Sequence, residues 1–231
     1  GVDSAKAFAA MLGVTFDPRD QSLALALGGF TYGVSPMQMA GAYAAFGNGG
    51  VYNAPTTIQR ITDASGNVLH QNVPLGRRVM QASNAYVLTS MLQSAVKSGT
   101  GRRLGELGIP LAGKTGTTGD STGNRDIWMA AYNPEYAAAV WMGFDDAAEG
   151  RALPDTATGG TYPAAMLAAL YESLYASSSA PDFTVPSGVR EYRIDSHTLD
   201  NEHVAVLASA LTPETESYAE VFVVGTEPRE V

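Results

Sequence analysis

Between residues 111 and 144 three β-prone runs follow one another closely: Leu111 to Thr117, Ile127 to Tyr132, and Tyr136 to Phe144. The last two are joined by Asn133-Pro134-Glu135, which favours an antiparallel pair. Helical patterns lie on both sides. Ala5 to Gly13 has helical apolar spacing and stops at a glycine. Ser35 reads as an N-cap, with Pro36 in the first turn and Gln38 at the capping-box position. That helix runs through Met39, Ala40, Tyr43 and Phe46 and ends at Gly47-Asn48-Gly49-Gly50. Ser83 reads as the N-cap of another, with Leu88, Met91, Leu92 and Ala95 on one face and Gly99 as its stop. Pro163 opens a further helix through Met166, Leu167, Leu170 and Leu174. The expected fold class is α/β (α+β): an antiparallel sheet flanked by helices.

Two features fall outside that frame. Thr56 to Thr62 and Val68 to Gln71 flank the turn signal Asp63-Ala64-Ser65-Gly66-Asn67 and read as a hairpin. Ser177-Ser178-Ser179-Ala180-Pro181-Asp182 reads as a linker. Beyond it, β-like runs at Glu191 to Ile194, Val204 to Leu207 and Glu220 to Val224 alternate with acidic and Thr/Pro turns. The expected division is a main domain over 1–180 and a small β-rich extension over 181–231.

Hydrophobic residues make up 45% of the 231 and charged residues 16%, so a sizeable core is available. The net charge of −9 argues against a general nucleic-acid binder, which needs a basic face to displace counterions from phosphates. With no cysteine, disulfides, thiolate metal sites and thiol catalysis are excluded. No apolar run approaches the roughly 20 residues that span a bilayer. The chain starts at Gly1 without Met or a signal peptide, so it reads as a processed or cut piece, with any membrane anchor upstream.

The stretch that carries chemistry is Leu111-Ala112-Gly113-Lys114-Thr115-Gly116-Thr117-Thr118. Gly108 to Thr115 matches the phosphate-loop pattern G-x-x-x-x-G-K-[ST] letter for letter. That loop needs a strand before it and a helix after the lysine. Leu104-Gly105-Glu106-Leu107 makes a poor buried strand, and the Gly- and Thr-rich residues 116–123 make a poor helix. In the other reading Lys114 to Thr117 lie on a strand, with Thr115 and Thr117 on one face and Lys114 on the other. Gly116 then lets a ligand approach the backbone. An exposed strand edge pairs with an extended peptide. A lysine beside it attracts a carboxylate and favours deprotonation of a nearby serine or lysine. Two hydroxyls add donors for that carboxylate, and an edge N–H can serve an oxyanion. These parts suit acyl transfer on a peptide ending in a carboxylate.

Lys114-Thr115-Gly116-Thr117 resembles the KTG box of penicillin-binding proteins and serine β-lactamases. The segment from Gly28 to Ala40, continuing through Tyr43 to Gly50, is similar to what bifunctional (class A) penicillin-binding proteins carry before that box. Ser98-Gly99-Thr100-Gly101 resembles their GTG element. Asp126 to Tyr132 and Val140 to Asp145 look like the two strands after the box. In the tail, Ile194-Asp195 and Val221 to Pro228 are similar to the extension of many class A members. The likeness covers nearly the whole chain, in order.

The resemblance implies a five-stranded antiparallel sheet between helices, incomplete in this chain, with the KTG strand at the active-site edge. It implies D-alanyl-D-alanine stem peptides as acyl donors, β-lactams as covalent inhibitors, and no cofactor or metal. Lys114 and Thr117 become the catalytic positions: Lys114 supports proton transfer and the Thr117 N–H is an oxyanion donor. Thr115, Gly116 and Thr118 become substrate-binding positions, with the Thr115 and Thr117 hydroxyls on the terminal carboxylate. The location implied is the extracytoplasmic face of the bacterial cell membrane. A P-loop nucleotide hydrolase and a non-catalytic penicillin-sensing or wall-binding module are the alternatives.

The family also needs an SxxK box with the nucleophilic serine, and an SxN box. Ser94-Ala95-Val96-Lys97 spells SxxK, but in the last turn of its helix, where the dipole disfavours an anion. The expectation is that both boxes lie on an upstream fragment of the same protein, which is then the chain's partner. Elsewhere, His70, His197 and His203 match no closed zinc site. Asp145, Asp146 and Glu149 read as a solvated acidic loop rather than a calcium loop. Gly159-Gly160 reads as a tight turn, and Trp128 and Trp141 as neighbours on adjacent strands.

Overall fold

The computed structural model of the chain describes residues 1–121, 123–144 and 151–229. Asp145, Asp146 and Glu149 lie outside the described residues.

The centre is an antiparallel sheet of three strands, β5 (Ala112–Asp120), β6 (Gly123–Tyr132) and β7 (Ala137–Gly143), in that order. The short connection after β6 is shaped by Asn133, whose Oδ1 accepts the N–H groups of Glu135 (3.0 Å) and Tyr136 (2.8 Å). A side chain that mimics a backbone turn in this way makes Asn a natural hairpin corner.

Alternation along β6 sends Ile127, Met129 and Ala131 to one face and Trp128, Ala130 and Tyr132 to the other. The first face meets the end of α3 (Ala82–Lys97), the short α4 (Arg102–Gly105) and α5 (Tyr162–Leu174). Val96, Leu104, Leu111, Met129, Ala131, Ala164, Leu167 and Tyr171 form the main core there. On the second face Tyr132 packs against Tyr43 and Phe46 of α2 (Pro36–Gly47), with ring centroids 6.1 and 6.4 Å away. The sheet is thus covered by helices on both sides, as expected. Helix α2 has the predicted start: Ser35 Oγ accepts the Gln38 N–H and Gln38 Oε1 accepts the Ser35 N–H.

Other boundaries shift. The first helix, α1, is Val2–Met11, and Gly13 follows it at φ +83°. Helix α3 starts one residue before Ser83, with Gln81 as an N-cap that makes no side-chain bond. Its first turn is closed by the Ala85 N–H, which donates to the Gln81 carbonyl at 3.0 Å. Strands β1 (Val51–Tyr52) and β4 (Arg77–Arg78) pair with each other and enclose the predicted hairpin, β2 (Arg60–Thr62) with β3 (Val68–Gln71). The hairpin's turn is closed by Asp63 Oδ1, which accepts from the N–H of Ser65 and of Asn67.

In the tail, β8 (Val189–Asp195) pairs with β9 (Ser217–Val223), and the pair rests on α3. Phe183, just past the Ser-rich stretch, sets its ring edge against Tyr132 at 5.7 Å. The expected run Val204 to Leu207 is not a strand; it contributes one bridge, Leu207 to Ile194. A helix absent from the sequence reading, α6 (Ser196–Glu202), starts at Asp195, whose carboxylate accepts the Thr198 N–H at 2.8 Å. Its polar composition has no apolar period to announce it.

Candidate active site

The KTGT residues lie in the body of β5, not at the mouth of a helix. Residues before them form α4 and a turn in which Gly108 has φ +66°. Neither the preceding strand nor the following helix of a phosphate loop exists, so the phosphate-loop reading is overturned.

Strand β5 pairs with β6 on one side, and among the described residues no strand pairs with it on the other. Its first residues are enclosed: Leu111 joins the core with Val96 of α3 and Leu167 of α5, and Ala112 beside it is buried too. From Lys114 the strand emerges, and Lys114 and Thr117 are exposed. The Lys114 ammonium donates to the Thr115 carbonyl at 2.9 Å.

The predicted alternation holds. Lys114, Gly116 and Thr118 stand over Ala130, Trp128 and Asp126. A Cβ added at Gly116 would come within 3.3 Å of the Trp128 Cβ, so the strand's floor is close-packed at this glycine. Thr115 and Thr117 face the opposite way, toward two turns. The Thr115 hydroxyl is 2.6 Å from that of Thr100, in the 98–101 element. The Thr117 hydroxyl accepts the Gly159 N–H at 3.2 Å. Both hydroxyls are thus engaged within the chain; Thr117, accepting from Gly159, keeps its proton for a further acceptor, and Thr115 does so when Thr100 is the donor between them.

Gly159-Gly160 forms the tight turn that the sequence suggested. The Thr161 N–H donates to the Thr158 carbonyl at 3.0 Å, and the Thr158 N–H to Thr161 Oγ1 at 2.9 Å. The turn presses directly on β5. A Cβ at Gly159 would fall 2.1 Å from the Trp128 carbonyl oxygen and 2.8 Å from that of Gly116.

In the sequence Asp126 reads only as part of a strand. Its Oδ2 accepts from the Thr118 hydroxyl at 3.2 Å, and its Oδ1 from the Trp141 indole N–H at 2.8 Å. Trp128 and Trp141 are cross-strand partners with ring centroids 6.3 Å apart, as their spacing suggested. A carboxylate two positions before a tryptophan, on the same strand face, was the available signal.

Ser94 and Lys97 stay in the last turn of α3, both exposed. The Ser94 carbonyl accepts the Ser98 N–H, closing the helix. Among the described residues no group of three or more His, Cys, Asp or Glu side chains could hold one metal ion.

The geometry therefore defines an α+β domain whose candidate site is a solvent-facing sheet margin, rather than a nucleotide-binding domain. Residues 15–172 match the family model described as the penicillin binding protein transpeptidase domain, and the chain belongs to that family, with relatives of the class A type. It is 37% identical to penicillin-binding protein 1F of Bacillus subtilis (strain 168), over 83% of this chain and 26% of that protein. It is 35% identical to penicillin-binding protein 1A/1B of the same organism, over 100% of this chain and 26% of that one. The chain thus spans about a quarter of the length of these curated relatives. The crystal structure of penicillin-binding protein 1A from Haemophilus influenzae superposes with a TM-score of 0.80 at 25% identity, covering 99% of this chain and 37% of that one. PonA1 from Mycobacterium tuberculosis, solved in complex with penicillin V, shares the fold with a TM-score of 0.62 at 24% identity, over 80% and 52% of the two chains.

Proposed function

We propose that this chain supplies the KTGT wall of a serine D,D-transpeptidase site that cross-links peptidoglycan stem peptides and is acylated by β-lactams. The observation that carries the reading is the open margin of β5, with Lys114 and Thr117 exposed on it. The nucleophilic serine and its SxxK and SxN boxes come from a segment outside these residues. Ser94 is a poor substitute, because its helix ends there and the carbonyl dipoles oppose an alkoxide.

In the reaction the serine Oγ adds to the carbonyl carbon of the penultimate D-alanine while its proton passes to a base. The C–N bond then breaks, and the terminal D-alanine leaves with a proton as the free amine. An acceptor amine attacks the resulting ester, the C–O bond breaks, and the serine regains its proton. Lys114 supplies a positive field that favours the deprotonated nucleophile and draws in the substrate's terminal carboxylate. The Thr115 and Thr117 hydroxyls hold that carboxylate, while Gly116 and Thr118 line the strand along which the peptide lies. The Thr117 N–H stabilises the oxyanion. A β-lactam enters the same site, and its ring amide bond is the one that breaks.

Residues 181–231 form the β-rich extension to this domain. The complete protein works at the extracytoplasmic face of the cell membrane, held by an anchor outside these residues; among those described, no helix is long and apolar enough to cross a membrane.

The test is fluorescent-penicillin labelling of the complete transpeptidase that contains these residues. Lys114→Ala is expected to slow labelling by about 100-fold or more, the scale of losing one preorganised electrostatic group. Labelling at the parent rate overturns the proposal. Turnover of a stem-peptide thioester separates a transpeptidase from a sensor built on the same scaffold.

A further inference from the structure

We propose that Asp126 is a positioning residue for the acyl-transfer step, acting through Thr118 and Trp141 on the Gly116–Thr117 margin. This rests on the transpeptidase reading.

The half-buried Asp126 side chain sends its two oxygens to different strands. Oδ2 takes the Thr118 hydroxyl of β5 and Oδ1 takes the Trp141 indole of β7. A single carboxylate on the middle strand therefore ties all three strands together.

Its place in the ladder gives the tie its importance. Thr118 pairs with Asp126, but the next pair is Gly119 with Asn124, so the register slips by one residue immediately beyond the tie. A bulge of this kind interrupts the ladder and increases local twist. Asp126 stands on the last regular pair before the bulge, one residue from Thr117. The tie confines the irregularity to the far side, leaving the Thr117 peptide in regular pairing.

The second bond acts from beneath. Trp141 packs on Trp128, and Trp128 is the floor that Gly116 touches. Fixing the Trp141 indole fixes that floor. Asp126 thus holds the margin at its downstream end and from below, while touching none of the proposed reacting atoms. Productive geometry at such sites tolerates about 0.5 Å, and a displacement of about 1 Å costs on the order of 100-fold in rate.

The role needs hydrogen-bonding capacity, not negative charge. An asparagine at 126 can accept from the Trp141 indole through its carbonyl and donate its amide to the Thr118 hydroxyl, which has lone pairs free to accept. An alanine can do neither. This separates positioning from an electrostatic or acid–base role, in which asparagine and alanine would fail alike.

The experiment uses the complete transpeptidase containing these residues and a fluorescent penicillin, with the apparent binding constant and the acylation rate resolved by stopped flow. Thermal midpoints are recorded in parallel. Asp126→Ala is expected to lower the acylation rate by about 10- to 100-fold, with binding within about 3-fold of the parent. Asp126→Asn is expected to stay within about 3-fold in both. Thr118→Val, which removes one bond at similar volume, is expected to lower the acylation rate by about 10-fold with an unchanged midpoint.

Equal losses in Asp126→Asn and Asp126→Ala overturn the inference, as does a defect confined to binding and thermal stability. Should Asp126→Ala fail to fold, Thr118→Val decides: a parent-like acylation rate overturns the inference. Lys114→Ala is run alongside. Loss of labelling in Lys114→Ala, with parent-like rates in Asp126→Ala and Thr118→Val, overturns this inference alone. Retained labelling in Lys114→Ala overturns the transpeptidase reading and this inference with it.

Discussion

The Tyr132 hydroxyl lies 2.8 Å from the hydroxyl of Thr89, joining β6 to α3 in the buried interior. Thr89 also bonds its own helix, donating to the Ala85 carbonyl at 2.8 Å. A hydroxyl has one proton, so Tyr132 is the donor to Thr89. Thr89→Val removes the acceptor and strands the Tyr132 O–H in the core, at an expected cost of about 1–3 kcal/mol. Tyr132→Phe leaves Thr89 bonded to Ala85 and should cost less. Urea unfolding of both single variants and the double variant checks this: the double should be less destabilised than the sum.

Burial pushes the ionisation of Tyr132 and Tyr171 well above the ordinary tyrosine range, desolvation being the main cause in each. Tyr171 is held by a bond from its hydroxyl to the Ala131 carbonyl at 2.9 Å. In the unfolded chain both ionise near pH 10. The stability from keeping them neutral is complete below that pH and is lost as pH rises toward their folded values. Unfolding free energy should therefore fall above about pH 10, by up to about 1.4 kcal/mol per pH unit for each tyrosine. Unfolding curves from pH 8 to 11.5, compared with a Tyr171→Phe variant, measure the slope; a slope unchanged by that substitution contradicts the assignment.

How far the sequence reveals this molecule depends on how local the cause is. The capping box at Ser35 and Gln38 and the Asp63 turn are satisfied within a few residues, so both were legible. The central strands were legible in order and approximate extent because their apolar runs are bounded by turn residues. Ser83 as N-cap places the start of α3 two residues late, because the observed N-cap is Gln81 and the structure does not use the serine as a cap. Helix α6 is not legible in the sequence, because its residues are polar and its signal is one Asp195 bond. At the site, the alternation of Lys114 and the two threonines followed from strand geometry alone. The partners of those threonines did not. Thr100 and Gly159 are 15 and 42 residues from the side chains they meet, and such meetings are set by the packing of α3 and α5.

Ser94-Ala95-Val96-Lys97 offers a direct contrast between motif and context. The serine is exposed at the end of α3, where Ser98 closes the helix on its carbonyl. Ser94→Ala is expected to leave the rate and extent of fluorescent-penicillin labelling of the complete enzyme within about 2-fold of the parent, since the helix end disfavours an alkoxide. Loss of labelling would make Ser94 the nucleophile and remove the need for a serine elsewhere.

The turn at Gly159 has the least room of the contacts on β5. Its N–H reaches the Thr117 hydroxyl, and its missing side chain lets it lie against the carbonyls of Trp128 and Gly116. A methyl group there would meet the Trp128 oxygen at 2.1 Å, the Gly116 oxygen at 2.8 Å and the Thr115 Cβ at 3.0 Å. Two of these three neighbours are backbone atoms within the sheet, so neither can swing aside. Gly159→Ala must move the turn away from the strand or push the strand outward. Either response breaks the bond to Thr117 and disturbs the margin proposed to hold the substrate carboxylate. The expected result is a loss of about 1–3 kcal/mol of stability, typical of overpacking. Penicillin acylation should slow in the same variant even at temperatures where it remains folded. Thermal unfolding and acylation kinetics on one preparation check both parts. Parent-like values in both would mean that the turn yields freely and that its grip on Thr117 is incidental.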